Sequence, residues 1–286
     1  MARWSERRQA LRALLEGDRC VHPASVYDPI SARIAEDLDF EVAMLAGSVA
    51  SMAVLGAPDI IVLTMPEFAE TAHRICRAGT LPLLVDADHA YGNALNVMRT
   101  VEALENAGIS GMSIEDTVLP RPHGGGGKPA LISIDEGVGK IRAAVAARAD
   151  PGLVIAGRTS AAGWTGVDDA IARLKAYEAA GADALFLVEV KSRADLDRIA
   201  GAVGLPLITG GLDASMMDLD YLSARGVRIC LQGHQPFAAA VEAVRQTMSA
   251  LRDGVAPNEI EGVASKAVMR RVTRAEDYEG WTKAYL

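Results

Sequence analysis

The sequence predicts an α/β protein of the (β/α)8 TIM-barrel type, carrying C-terminal helices from about residue 256. Three observations carry this. Eight short apolar runs recur along the 286 residues. Several are continuous rather than alternating, as expected for parallel strands buried on both faces. Amphipathic stretches of helical period lie between them, and right-handed crossovers would close eight such units into a barrel. The main competitor, an open doubly wound sheet, needs a Gly-rich turn after its first strand, and no G-x-G-x-x-G stands in strand-to-helix context.

In order, the strand candidates are VHPASV (21–26), EVAMLAG (41–47), LPLLVDAD (81–88), GISGMSIED (108–116), GLVIAGRT (152–159), ADALFLVEV (182–190), LPLITGG (205–211) and VRICLQGH (227–234). Between them, NALNVMRTVEALENAG (93–108) and VDDAIARLKAYEAAG (167–181) read as helices. The second has apolar residues at Ile171, Leu174 and Ala179 with charges between, and it ends on Gly181, as a C-terminal cap would. The tail from about Ala256 to Leu286, with Trp281 and Tyr285, reads as one or two further helices packing on the barrel or on a neighbouring subunit. No Ser/Gly linker divides the chain, so residues 1–286 are expected to form a single barrel domain with that extension.

Composition excludes several function classes. Apolar residues are 50% of the chain, ample for a large core without disulfide or metal staples. The net charge of −8, from 29 basic and 37 acidic residues, denies nucleic acid its electrostatic footprint. No apolar stretch is long enough for a membrane helix. The N-terminal MARWSERRQALRALLEGDRC lacks the apolar core of a signal peptide. Cys20, Cys76 and Cys230 form an odd, scattered set without a C-x-x-C pair, which reads as reduced thiols. A cytoplasmic globular protein is expected.

Barrel chemistry sits at the carboxyl ends of the strands. Those ends hold Tyr27, Asp28, Ser48, Asp86, Asp88, Glu115, Asp116, Arg158, Glu189, Thr209 and His234. Clustered carboxylates repel unless a cation sits among them, and an oxygen-rich set selects Mg²⁺ or Mn²⁺. Arg158, ending an apolar strand, needs an anionic partner and suits a substrate carboxylate or phosphate. A plainer reading stands beside each: Asp88 before HAYGNALNV is also a candidate helix N-cap, Glu115 and Asp116 a solvated corner, and a lone histidine such as His234 is commonly structural. His73, His89 and His123 are assigned no role. The loop LPRPHGGGGKPAL (119–131) reads either as a gate over the barrel mouth or as a surface excursion. It is not a phosphate-binding Walker loop, because Lys128 is followed by Pro129.

In combination, G-A-P-D (56–59), L-L-V-D-A-D-H-A-Y-G-N (83–93), S-I-E-D (113–116) and A-G-R-T (156–159) resemble the phosphoenolpyruvate mutase/isocitrate lyase superfamily, in order and over nearly the whole chain from about Arg19. The resemblance implies a (β/α)8 barrel whose last helix is exchanged between subunits of a homodimer or a homotetramer built as a dimer of dimers. It implies chemistry beside the carbonyl carbon of a 2-keto acid, through an enolate held on Mg²⁺. By position, Asp86 resembles the direct metal ligand, and Asp59, Asp88 and Glu115 the outer carboxylates holding metal-bound waters. Ser48 and the backbone N–H groups after it resemble the clamp on the substrate carboxylate, with Arg158 as cationic partner.

Departures select a branch. The carbon–carbon lyases carry a K-[KR]-C-G-H loop with a catalytic cysteine and the phosphonomutases a K-T-N-S-type loop, whereas this loop reads R-P-H-G-G-G-G-K (121–128). The remaining motifs, G-S-V-A-S (47–51), D-A-D-H (86–89), Y-G-N-A-L-N-V-M-R-T-V (91–101), the segment from Asp135 to Ala144 and His234, resemble the oxaloacetate decarboxylase branch. LITGGLDAS (207–215) departs from it, having glycines where that branch has a tyrosine near Gly210 or Gly211, as does the GWTG segment after Arg158. The implied reaction is decarboxylation of oxaloacetate to pyruvate and CO2, with Arg158 and Ser48 holding the C1 end and His234 positioning substrate or stabilising enolate charge. Alternatives are a lyase on a 2-hydroxy diacid of methylisocitrate or dimethylmalate type, with His123 or Lys128 replacing the cysteine, a phosphonopyruvate hydrolase or mutase, and a non-catalytic keto-acid-binding barrel.

Overall fold

A computed structural model describes residues 2–124 and 129–286. Its eight strands are β1 (Ala24–Ser25), β2 (Ala43–Leu45), β3 (Leu83–Asp86), β4 (Gly111–Glu115), β5 (Val154–Thr159), β6 (Ala184–Val188), β7 (Leu207–Gly210) and β8 (Val227–Cys230). Each lies inside one of the eight apolar runs. All neighbours pair in parallel in the order β1 to β8. The sheet closes on itself where Val21 forms a parallel bridge with Ile229.

The helices before β5 are α1 (Ala2–Glu16), α2 (Pro29–Asp37), α3 (Gly47–Leu55), α4 (Met65–Ala78), α5 (Ala94–Ala107) and α6 (Ile134–Ala147). After it come α7 (Ala161–Trp164), α8 (Val167–Ala179), α9 (Arg193–Ala200), α10 (Leu219–Ser223), α11 (Gln235–Arg252), α12 (Lys266–Val272) and α13 (Ala275–Tyr285). Local chemistry sets their ends. Asn93 caps α5 by accepting from the N–H groups of Leu95 and Asn96, and Gly181 follows α8 at φ 98°.

Side chains alternate across the strands and build two apolar layers. Met44, Leu84, Val154, Ala156, Phe186, Ile208 and Ile229 fill the barrel, whereas Val85, Met112, Ile155, Leu187 and Leu207 pack outward against the helices. Helix α1, not read from the sequence, plugs the amino-terminal end. Its Leu11 and Leu15 join the inner layer, and Arg8 donates to the carbonyls of Ile109 and Glu105 and to Asp150. The opposite, carboxyl-terminal end is left open.

The C-terminal part is exposed. Helix α11 buries no residue, and Val241, Val244, Met248, Tyr278, Trp281 and Tyr285 are all exposed. Helix α12 docks through buried Val272; Arg271 and the following Arg274 pair with Asp37 of α2, and Phe237 of α11 packs on Tyr27.

Candidate active site

The open end of the barrel forms a cavity of about 680 Å³, whose lining includes Asp59, Asp86, Asp88, Glu115, Arg158 and Glu189. Strand period explains why Asp86, Glu115 and Arg158 converge. Leu84 and Ala156 point into the barrel, so Asp86 and Arg158, two residues on, do the same at its rim. Met112 and Ile114 point outward, which turns Ser113 and Glu115 inward. Asp86 is in register with Ser113, and Glu115 with Arg158.

Arg158 ties the rim together. One guanidinium nitrogen donates to Asp86 Oδ2, and the other lies 3.2 Å from Glu115 Oε2. Its Cζ stands 5.2 Å from the centroid of the Phe186 ring. Burial opposes the guanidinium charge, but Asp86 and Glu115 more than offset it and hold the group protonated. Ser113 Oγ donates to Asp86 Oδ1 at 3.2 Å.

The other carboxylates are strained electrostatically. Burial, then the charges of Asp86, Glu115 and Asp59, push Asp88 well above the usual carboxylate range. Burial also raises Asp59, and Asp86 raises it further. Glu115 is raised by burial, which Arg158 counters. Asp88 does not cap a helix, since Asn93 fills that place. Its carboxylate instead lies on Gly47 at the start of α3, where a Cβ would fall 2.6 Å from Oδ1. That helix end favours a negative charge.

The five carboxylates of the lining, Asp59, Asp86, Asp88, Glu115 and Glu189, outnumber its two arginines, Arg121 and Arg158, and leave the cavity short of positive charge. The Tyr91 hydroxyl, buried beside Asp88 and Asp86, has no hydrogen-bond partner among the described residues. Among those residues no three His, Cys, Asp or Glu side chains converge closely enough to hold an ion directly. An all-oxygen donor set of this kind suits a hard divalent cation that keeps several of its waters.

His234 stands at the edge of the group. Its Nδ1 is 2.9 Å from Ser25 Oγ, burial lowers its pKa, and the charges of Asp86 and Asp59 counter that. Ser48 lies in the first turn of α3, partly buried, and does not line the cavity.

Four strand-end residues fall elsewhere. Asp116 faces outward, where it accepts from Tyr177 Oη at 2.7 Å and pairs with Arg173. Thr209 follows inward-facing Ile208 and is buried in the outer layer. For both, a one-residue step along a strand reverses the face. Asp28 caps α2 by accepting from the Ser31 N–H, and Tyr27 packs edge-on against Phe237. His123 is exposed and does not line the cavity, and Lys128 lies outside the described residues.

Sequence reading missed Tyr91, Ser113, Thr117 and Trp164. Ser113 was accessible from strand period, being two residues before Glu115. Trp164, on the short helix α7, carries no comparable signal.

The chain is similar to known proteins in sequence and in fold. Residues 11–252 match the family model of phosphoenolpyruvate phosphomutase. A Rhodopseudomonas palustris (strain BisB18) protein named oxaloacetate decarboxylase is 57% identical over 272 residues, covering 95% of this chain and 94% of that protein. Among solved structures, oxaloacetate acetylhydrolase bound to 3,3-difluorooxaloacetate superposes with a TM-score of 0.85 at 28% identity, covering 98% of this chain and 97% of the other. Phosphonopyruvate hydrolase in complex with oxalate and Mg²⁺ gives 0.84 at 29%, covering 98% and 99%. The chain belongs to the phosphoenolpyruvate phosphomutase family.

Proposed function

We propose that the protein is a Mg²⁺-dependent oxaloacetate decarboxylase, forming pyruvate and CO2. The observation that carries this is a carboxylate-rich cavity that holds Arg121 and Arg158 and, among the described residues, no thiol. The three cysteines are all buried in the outer layer of the core, away from the cavity. Loss of CO2 leaves an enolate that solvent can protonate, so no acid is required on the departing fragment. The relatives named oxaloacetate decarboxylase support the substrate.

We assign Asp86 as the direct cation ligand and Asp59, Asp88 and Glu115 as acceptors for its waters. Their excess negative charge and the unpartnered Tyr91 hydroxyl support this. When bound, the Mg²⁺ ion (or Mn²⁺) supplies Lewis acidity toward the keto oxygen. Arg158 would hold the substrate C1 carboxylate, exchanging part of its pairing with Asp86 and Glu115 for that anion. Ser48 would assist from the start of α3, whose N–H groups favour an anion. His234, oriented by Ser25, would bind substrate or stabilise enolate charge.

The apolar residues exposed on α11 and α13 support assembly as a homodimer or a dimer of dimers, with C-terminal helices exchanged between subunits. No helix among the described residues is long and apolar enough to cross a membrane. Three buried free thiols support a reducing, cytoplasmic setting.

Supplying oxaloacetate, methylisocitrate, dimethylmalate and phosphonopyruvate in turn, with product identification, tests the reading. Pyruvate and CO2 from oxaloacetate alone are expected. Preferred turnover of another member of the panel would replace the assignment, and silence on all four would favour a binding barrel.

A further inference from the structure

The segment between β3 and α5 is conformationally unusual. Asp88, Ala90 and Tyr91 all adopt positive φ, at 49°, 57° and 60°. Non-glycine residues avoid this region, and three within four positions persist only where surrounding contacts hold them. Those contacts are few and buried. The Glu115 N–H donates to the Asp88 carbonyl at 2.8 Å, Thr100 Oγ1 to the Ala90 carbonyl at 3.1 Å, and Lys140 Nζ to the His89 carbonyl at 2.9 Å. Lys140 stands out. It projects from α6, is only 3% exposed, and has Glu136, Glu115 and Asp116 nearby. A lysine is buried this completely only where its ammonium has a specific partner.

We propose that Lys140 is a positioning residue for Asp88. By holding the His89 carbonyl, it keeps the loop in the left-handed path that lays the Asp88 carboxylate on Gly47 and aims it at the cation site. This rests on the cation reading given above. Lys140 does not line the cavity, and because its charge also lies near Glu115, the coupling of its loss to that of Asp88, rather than the loss by itself, identifies the role.

The test is Mn²⁺ affinity, read as free Mn²⁺ by electron paramagnetic resonance, for wild type, Lys140→Met, Asp88→Asn and the double variant. Lys140→Met is expected to weaken Mn²⁺ binding about 10-fold or more, the range seen for residues that orient ligand groups. The double variant should bind as Asp88→Asn alone, because coupled residues do not add. Ala90→Gly, which relaxes the left-handed position, should restore part of the loss in Lys140→Met. Wild-type affinity in Lys140→Met, or full additivity with Asp88→Asn, would overturn the proposal. Unchanged affinity in Asp88→Asn would overturn the cation reading and this proposal with it. Should Lys140→Met fail to fold, Thr100→Val removes a neighbouring contact on the same loop: weaker Mn²⁺ binding supports the proposal, and wild-type affinity overturns it.

Discussion

Glu115 and Arg158 face each other in register across β4 and β5, with Nη2 3.2 Å from Oε2, and the same guanidinium reaches past β4 to Asp86 on β3. One cation thus spans three strands and two carboxylates, while Asp59 and Asp88 remain without a counter-charge that offsets their burial.

Arg158→Lys keeps the charge but loses the planar fork that serves both carboxylates. A charge-assisted hydrogen bond is worth about 1.5–3 kcal/mol. kcat/KM for oxaloacetate should therefore fall roughly 10- to 100-fold, measurable by steady-state kinetics.

Gly47→Ala puts a methyl group 2.6 Å from Asp88 Oδ1 and must displace that carboxylate. Metal affinity should drop about 10- to 100-fold. The thermal midpoint should stay close to wild type, since no core contact is removed; calorimetry beside a metal titration checks both.

His234→Ala should slow turnover about 10²- to 10³-fold, the usual loss for one stabilising donor, while sparing metal binding. Ser25→Ala should act in the same direction by less, because Ser25 only orients the ring. An unchanged rate in His234→Ala would remove the residue from the site.

Leu11→Ala hollows the plug at the far end of the barrel, where Leu11 is fully buried. The expected cost is about 2–5 kcal/mol, read from urea unfolding, with kcat close to wild type in the folded protein.

Burial pushes the Cys20 thiol up to about 12 from its ordinary 9.0, and nearby Cys230 adds to this. At pH 8 only about one molecule in ten thousand carries the reactive thiolate. Native protein should therefore resist thiol reagents at Cys20 until denatured. The sign for stability follows: the folded state holds this proton more tightly, so its contribution is complete below pH 9 and declines as pH rises from 9 toward 12.

Much of the site was legible because strand ends are legible. LLVD and VIAGRT are continuous apolar runs interrupted by one charged residue each, and burial makes such a charge conspicuous. Asp116 and Thr209 were misjudged for want of the period-two step that separates them from Glu115 and Ile208. Lys140 was hidden for a different reason. A lysine within a helical pattern reads as a solvated residue, and only the packing of α6 against the 88–91 loop shows it buried. Helix α1 was obscured by its many arginines, whose partners are carbonyls and carboxylates distant in sequence.

The most direct measurement is pyruvate formation from oxaloacetate by chelator-treated protein, titrated back with Mg²⁺, for wild type and Asp86→Asn, with metal-only decarboxylation subtracted. The account predicts no turnover without metal, saturable recovery in wild type, and background rates in Asp86→Asn at every Mg²⁺ concentration. Turnover that survives the chelator, or an Asp86→Asn variant that recovers like wild type, would contradict it.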